Sequence, residues 1–431
     1  MFRNFIWVRK IVLNFHEIYK LLFRKEIIVY LCLTIGTYQT QAQSTGLQIN
    51  NNKKYVSIPF EYINGFMVVD VIFNQTFPLK FIFDTGASNT IISRKEIIQL
   101  FNLPIGRTFK VYGADLSTVL YAHLVKSVHL STGGAIAPTQ DILVLEEDYF
   151  NFQRLTGMEI HGVLGADMFA RYKVKINYRN KTIALYESKV NKPNIKDYQA
   201  FEMKVQKSKP YIVCKTTLAN DTILEAKLLI DTGASTALLL NTKTDKSLTL
   251  PDKIIPGNLG FGLGGVLEGY VGRVPCLEFG SHKLENIVCR FQEVEPPKDS
   301  LSLVFRNGII GNFILDRFLL VIDYPNQQLY IKPDKKWRRK FTFDRSGISF
   351  ISVGLANKTY YVNSVLNNSP AFHEGIKSGD ILLNINRKPC TLLSYDKINR
   401  LFRGKAGKTI RLRVKRGNEK IKVEFKLKDL I

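Results

Sequence analysis

Residues 81–88 read FIFDTGAS and residues 228–235 read LLIDTGAS, so one acidic turn occurs twice, each time behind three large apolar residues. Taken singly, each reads as a strand ending in a turn, because Asp, Thr and Gly favour turns and an apolar triplet suits a strand. A pair of such turns differs in kind. Two carboxylates brought close cannot both ionise easily, so one pKa rises and the pair holds a single proton. One carboxyl then serves as base and the other as acid: a water is deprotonated for attack on a peptide carbonyl, and the developing oxyanion is stabilised. Asp84 and Asp231 are therefore the candidate catalytic residues. Gly86 and Gly233 permit close approach of the two turns, Thr85 and Thr232 can hydrogen-bond across it, and Ala87 and Ala234 fit a crowded junction.

Two such turns need two similar scaffolds, and the chain supplies them. Beyond residue 45 it is a series of short β-like runs separated by turn residues, from YVSIPF and GFMVVDVIF to YKVKINY and KTIALY. The polar stretch ESKVNKPNIKDYQ (187–199) has linker composition, and the order of runs then repeats. Asp84 and Asp231 are 147 residues apart, and GVLGADMFARYKVKINY from Gly162 returns 146 residues later as GIIGNFILDRFLLVIDY from Gly308. Tyr178 and Tyr324 keep that offset. A near-constant offset over two motifs points to duplication of a whole β domain.

The pattern apolar–apolar–Asp-Thr-Gly-Ala-Ser, followed far downstream by apolar–apolar–Gly (VLG at 163–165, IIG at 309–311), resembles the aspartic peptidase superfamily, its retropepsin-like branch in particular. The resemblance covers roughly residues 50–333 and looks like two fused lobes. It implies a mostly β, bilobal, pseudo-twofold fold, with Asp84 and Asp231 as the dyad and Thr85, Gly86, Thr232 and Gly233 supporting it. It also implies flaps, for which KVYGADLSTVLY (110–121) and GFGLGGVLEGY (260–270) are the candidates. Pepsins carry a hydroxyl residue directly after the Gly, where this chain has Ala87 and Ala234. Without that donor to the carboxylate, the expectation is a dyad less acidic than pepsin's, working from mildly acidic pH to near neutrality.

The last section, after KKWRRK (335–340), reads as strands with two short helices at PAFHEG and SYDKINRLFRG. SGISF (346–350), NSPAFHEGIKSGDILLNIN (368–386) and LFRGKAGKTIRLRVKRG (401–417) resemble a PDZ domain of the kind attached to bacterial exported proteases. That implies a small α+β module in which Gly347, Ile348, Ser349 and Phe350 form the loop that takes a peptide's terminal carboxylate, the peptide adding as a strand. Arg345 stands beside this loop, as an electrostatic aid or merely solvated. The expected layout is a targeting segment at 1–42, lobes at 45–187 and 196–333, and the PDZ domain at 338–431.

RK at 24–25, the apolar run IIVYLCLTIG (27–36), and small residues Thr40 and Ala42 ahead of Gln43 have the layout of a secretory signal, with an apolar run too short for an ordinary membrane span. The expected location is exported, periplasmic or associated with the cell envelope. Net charge is +24, and residues 335–431 hold 23 Lys/Arg against 7 Asp/Glu. The charges are dispersed through strand patterns, which suits a solvated basic surface and leaves membrane association through the N-terminus or the basic C-terminal domain open. Nothing points to specific nucleic acid. Cys276 and Cys289 flank GSHKLEN, a plausible hairpin turn, and read equally as a disulfide or as two buried thiols.

Other chemistries fit less well. No CxxC pair, Cys/His ligand spacing or acidic cluster accompanies the aspartates, so neither a metal nor a cofactor is expected. There is no GxSxG elbow, and His16-Glu17 and His373-Glu374 lack the second His of a zinc protease helix. The reading is an aspartic endopeptidase active as a single chain on a polypeptide substrate, with a peptide ligand at the PDZ domain. Its rival is a catalytically inactive, exported peptide-binding adaptor.

Overall fold

The computed structural model describes residues 46–50, 53–113, 118–149, 158–187, 193–262, 265–293, 305–353 and 359–431. The expected targeting segment at 1–42 lies outside them, as do the tips of both candidate flaps, at 114–117 and 263–264. No helix among the described residues is long and apolar enough to cross a membrane.

Two eight-stranded sheets run in the same strand order. The first proceeds through Glu61–Ile63, Phe66–Phe73, Phe77–Phe83, Gly162–Leu164, Ile91–Ile92, Ala135–Leu145, Val119–Thr132 and Ile105–Tyr112. The second proceeds through Lys204–Gln206, Lys209–Thr217, Ile223–Ile230, Gly308–Ile310, Leu238–Asn241, His282–Gln292, Gly265–Phe279 and Ile255–Gly262. Their registers correspond as well. Phe81, Ile82 and Phe83 lie parallel to Gly162, Val163 and Leu164, and Leu228, Leu229 and Ile230 lie parallel to Gly308, Ile309 and Ile310. The apolar triplet before each Asp and the downstream apolar–apolar–Gly string are thus neighbouring strands. Each is buried on both faces, which explains why they read as continuous apolar runs rather than as alternation.

A third, six-stranded sheet joins the two halves. Tyr172–Asn177 from the first repeat pairs antiparallel with Phe318–Asp323 from the second, Lys173 opposite Asp323 and Ile176 opposite Leu320. The Lys173 ammonium meets the Asp323 carboxylate at 3.0 Å, with both side chains buried. The core is continuous across the junction: Phe83 stacks on Phe169 with centroids 4.2 Å apart, and Phe169 meets Tyr324 edge-on at 6.0 Å.

The C-terminal residues form a separate sheet in the order Ile348–Val353, Thr359–Val365, Ile381–Ile385, Thr409–Arg416 and Glu419–Lys426, over its own core. Helices Pro370–His373 and Tyr395–Phe402 occupy the two expected places, N-capped by the Ser369 and Ser394 hydroxyls. This module packs on the second repeat through Arg273, whose guanidinium donates to the carbonyls of Phe341 at 3.2 Å and Ile431 at 3.4 Å. Phe343 and Ile431 cover Val271 beside it.

Of the two readings of the cysteine pair, free thiols hold. The Gly265–Phe279/His282–Gln292 register sets Cys276 opposite Glu285 and Cys289 opposite Gly272, so the two sulfurs are out of register and both stay free.

Candidate active site

Each acidic turn sits where an apolar strand leaves its sheet, and the turn backbone holds its own carboxylate. Gly86 N–H donates to Asp84 Oδ1 at 2.6 Å and Ala87 N–H to the same oxygen at 3.2 Å; Gly233 N–H donates to Asp231 Oδ1 at 2.8 Å. The main-chain amides of the aspartates donate to the carbonyls of Leu164 and Ile310, both at 3.0 Å, which fixes the turns to the adjacent strands.

The two turns meet back to back. Thr85 Oγ1 donates to the Ile230 carbonyl at 2.7 Å and accepts from Thr232 N–H at 3.0 Å. Thr232 Oγ1 reciprocates, donating to the Phe83 carbonyl at 2.9 Å and accepting from Thr85 N–H at 3.0 Å. Both threonines are fully buried, so all four bonds are shielded from water. A Cβ on Gly86 would come within 2.6 Å of the Asp231 carboxyl, and one on Gly233 closer still to that of Asp84. The glycines therefore stand between the carboxyls, each against the partner's, and only hydrogen fits there. The geometry brings Asp84, Thr85, Gly86, Asp231, Thr232 and Gly233 together.

Electrostatics follow from that closeness. Burial first, and then the Asp231 charge, raises Asp84 well above the usual carboxylate range. Burial also raises Asp231, but Arg306 and a hydrogen bond from Asp84 oppose the rise. Both carboxyls are thus held above the usual carboxylate range, Asp84 the more strongly. Ala87 and Ala234 supply no hydroxyl, and the next residues send theirs elsewhere: Ser88 Oγ donates to the Lys207 carbonyl at 2.8 Å and Ser235 Oγ to the Asn64 carbonyl. Each serine thereby ties its turn to a hairpin of the opposite repeat.

Asn312 is a supporting residue that sequence reasoning missed. It is fully buried; its side-chain amide donates to the carbonyls of Gly65 at 2.7 Å and Thr232 at 2.6 Å, and its Oδ1 accepts from Tyr178 Oη at 2.6 Å. It thus joins the first repeat's hairpin to the second repeat's acidic turn. The available signal was that GIIGN carries Asn where GVLGA carries Ala166. Lys209 was missed as well. Burial and Arg306 lower its pKa while Asp84 and Asp231 hold it up, which puts it within electrostatic reach of both carboxyls.

In the C-terminal module, Gly347 takes a positive φ of 80°, and its N–H donates to Asp344 Oδ1 at 2.6 Å. Ser346 N–H donates to the same oxygen, and Ile348 N–H to Ser346 Oγ at 3.1 Å. The amides of Gly347 and Ile348 therefore already have partners inside the chain. Burial lifts Asp344 to about 6 against these bonds. Ser349 is exposed on Ile348–Val353, which is an edge strand, and the Phe350 carbonyl accepts from Tyr395 Oη at 3.1 Å. Arg345 is neither solvated nor aimed at the loop: it pairs with Asp429 at 2.6 Å and donates to the carbonyls of Arg403 and Gly404.

Both candidate flaps are antiparallel hairpins in the described residues, Ile105–Tyr112 with Val119–Thr132 and Ile255–Gly262 with Gly265–Phe279.

Comparison with known proteins agrees with this architecture. Residues 69–168 match the aspartyl protease family and residues 347–427 match the PDZ domain. The chain is mostly β, with an aspartic-protease-like region and a C-terminal PDZ domain. The first match contains Asp84; Asp231 lies outside it and is tied to the site by the repeat and the shared hydrogen bonds. A probable CtpA-like serine protease of Staphylococcus haemolyticus (strain JCSC1435) is 26% identical over 123 residues, 28% of this chain and 24% of that protein. The chain therefore spans about a quarter of the length of this curated relative.

Proposed function

We propose that the protein is an aspartic endopeptidase in which Asp84 and Asp231 activate one water. The observation that carries this reading is the placement of the two carboxyls against each other's glycine, with Asp84 raised the more strongly above the usual carboxylate range. Asp231 takes a proton from the water as its oxygen bonds to the peptide carbon, and Asp84 gives its proton to the carbonyl oxygen. Collapse of the resulting diol breaks the C–N bond: Asp231 passes its proton to the leaving nitrogen, and Asp84 recovers one from the hydroxyl. The chain is consumed in neither step, and no covalent enzyme intermediate forms. Both turns reside in one chain, so a single chain supplies the whole dyad.

The relative's name raises serine chemistry as a second reading. Ser88 and Ser235, the serines nearest the site, give their protons to backbone carbonyls, which favours the aspartic route. The PDZ domain takes a substrate or partner peptide along the Ile348–Val353 edge, and export to the periplasm or cell envelope rests on residues 1–42. The adaptor alternative differs in one outcome. Incubation of a mixed peptide pool with the chain gives new termini, and Asp84→Asn and Asp231→Asn each remove them. Intact peptides after incubation with the unaltered chain would favour the adaptor instead.

A further inference from the structure

The two repeats correspond strand for strand, so any difference between equivalent positions beside the dyad marks a side of the cleft. In the first repeat Phe66 pairs with Ile63, and Val68 lies two residues further along toward Ile82. In the second repeat Lys209 pairs with Gln206, and Tyr211 lies two residues further along toward Leu229. Register thus makes Lys209 the counterpart of Phe66, and Tyr211 that of Val68. The same step back from Gly162 and Gly308 makes Arg306 the counterpart of Ile160.

The chemistry at these positions is opposite. Phe66, Val68, Ile82, Ile160 and Val163 form an apolar cluster that packs against Ala87, directly after the glycine of the first catalytic turn. In the second repeat two cations and a phenol stand in their place. Arg306 hydrogen-bonds Tyr211, and Arg306, Lys209 and Tyr211 all act electrostatically on Asp231. Lys209 and Arg306 are half-buried, and among the described residues neither has a carboxylate within ion-pair distance.

The asymmetry extends along the neighbouring hairpins. Lys80 of the first repeat is neutralised by Glu61 at 2.8 Å and Asp70 at 3.0 Å. The ammonium of its counterpart Lys227 donates to the neutral Gln206 Oε1 at 2.7 Å, and the positions of Glu61 and Asp70 are taken by Lys204 and Val213. Two half-buried cations that share the dyad's charge and form no direct ion pair are incompletely compensated, and a carboxylate entering between them adds charge-assisted hydrogen bonds.

We propose that Lys209, Arg306 and Tyr211 form a carboxylate-accepting subsite on the second repeat's side of the dyad, opposite an apolar subsite built on Phe66 and Ile160. The substrate class is then a peptide with a large apolar residue on one side of the cleaved bond and a carboxylate close by on the other. That carboxylate comes from an Asp or Glu side chain or from the peptide's own C-terminus. The subsite rests on the peptidase reading for its place in catalysis, but its binding stands apart from turnover.

The test uses the full chain and sets of matched fluorogenic peptides. One set carries Leu on one side of the central bond and Glu or Gln on the other, in both orders. A second replaces the Glu by a C-terminal carboxylate or its amide at the same distance. The expected result is a kcat/KM about tenfold higher for a carboxylate peptide than for its neutral twin, in one of the two orders, weakening with salt. Lys209→Met and Arg306→Met reduce that ratio toward one, and Lys209→Glu favours a Lys-containing peptide. Whether the Glu or the terminal-carboxylate set shows the larger ratio identifies the source.

Binding of the same peptides to the Asp84→Asn variant, read by fluorescence anisotropy, separates the two levels. Tighter binding of carboxylate peptides, lost in Asp84→Asn/Lys209→Met, supports the subsite even where the unaltered chain cleaves nothing, an outcome that would overturn only the peptidase reading. Equal binding and equal cleavage of charged and neutral twins overturn the subsite and leave the dyad standing.

Discussion

Tyr178 donates its hydroxyl proton to Asn312 Oδ1 at 2.6 Å, while Tyr324, at the same place in the other repeat, has a buried hydroxyl without a partner among the described residues. The cause lies in one substitution within the duplicated string. Asn312 follows GIIG, and Ala166 follows GVLG, so the acceptor exists on one side only. Tyr324→Phe is therefore expected to be neutral or stabilising, since it removes a buried polar group that forms no bond. Tyr178→Phe leaves Asn312 Oδ1 unsatisfied and costs about 1–3 kcal/mol. Urea denaturation of the two variants compares them directly; equal losses would contradict the assigned asymmetry.

The threonine pair carries a second prediction. Thr85→Val removes a donor to the Ile230 carbonyl and an acceptor from Thr232 N–H, both fully buried. Loss of two such bonds is expected to destabilise the junction by about 2–4 kcal/mol, with Thr85→Ser recovering most of it. The same pair sets the spacing of the two aspartates, so kcat/KM falls together with stability in the Val variant and returns in the Ser variant. Unchanged activity in Thr85→Val would show that the hydroxyl does not position the dyad.

The direction of the carboxyl shifts fixes a pH dependence. Folding raises Asp84, so its charged form is disfavoured in the native state, and the resulting strain is absent below the unfolded carboxylate pKa and grows as pH rises through the raised native value. Asp84→Asn removes that strain. Its melting temperature is expected to exceed that of the unaltered chain by an amount that increases from acidic to neutral pH. Turnover requires one proton on the pair, so kcat/KM forms a bell with its maximum between mildly acidic pH and neutrality. Ala87 and Ala234, which have no hydroxyl to favour the charged form, act in the same direction. A maximum below about pH 3 with no activity above about pH 5 would contradict this.

How much of this was legible in the chain depended on how local each signal was. The meeting of the two acidic turns could be read because FIFDTGAS and LLIDTGAS repeat the same short string, and the register of Phe81 on Gly162 and Leu228 on Gly308 explains why VLG and IIG recur with them. Asn312 could not, since its partners Thr232 and Gly65 are 80 and 247 residues away and the repeat does not preserve it. Lys209 and Arg306 stand in KSKPYIV and FRNGIIG, where a cation looks like ordinary solvated surface; only the paired registers set them opposite Phe66 and Ile160. Free amides were expected across the PDZ loop, but Asp344, three residues before Gly347, takes its N–H and that of Ser346. The hairpin holding Cys276 and Cys289 turns at Gly280–Ser281, nearer Cys276 than Cys289, and that offset is invisible until strands are paired.

The most direct measurement is a double-mutant cycle on one cleaved peptide, with kcat/KM determined for the unaltered chain, Asp84→Asn, Asp231→Asn and the double variant. Two carboxyls acting on a single water predict a loss of about a thousandfold or more in each single variant, with the double variant scarcely worse than either. Activity surviving in either single variant, or two losses that multiply in the double variant, would contradict a shared site.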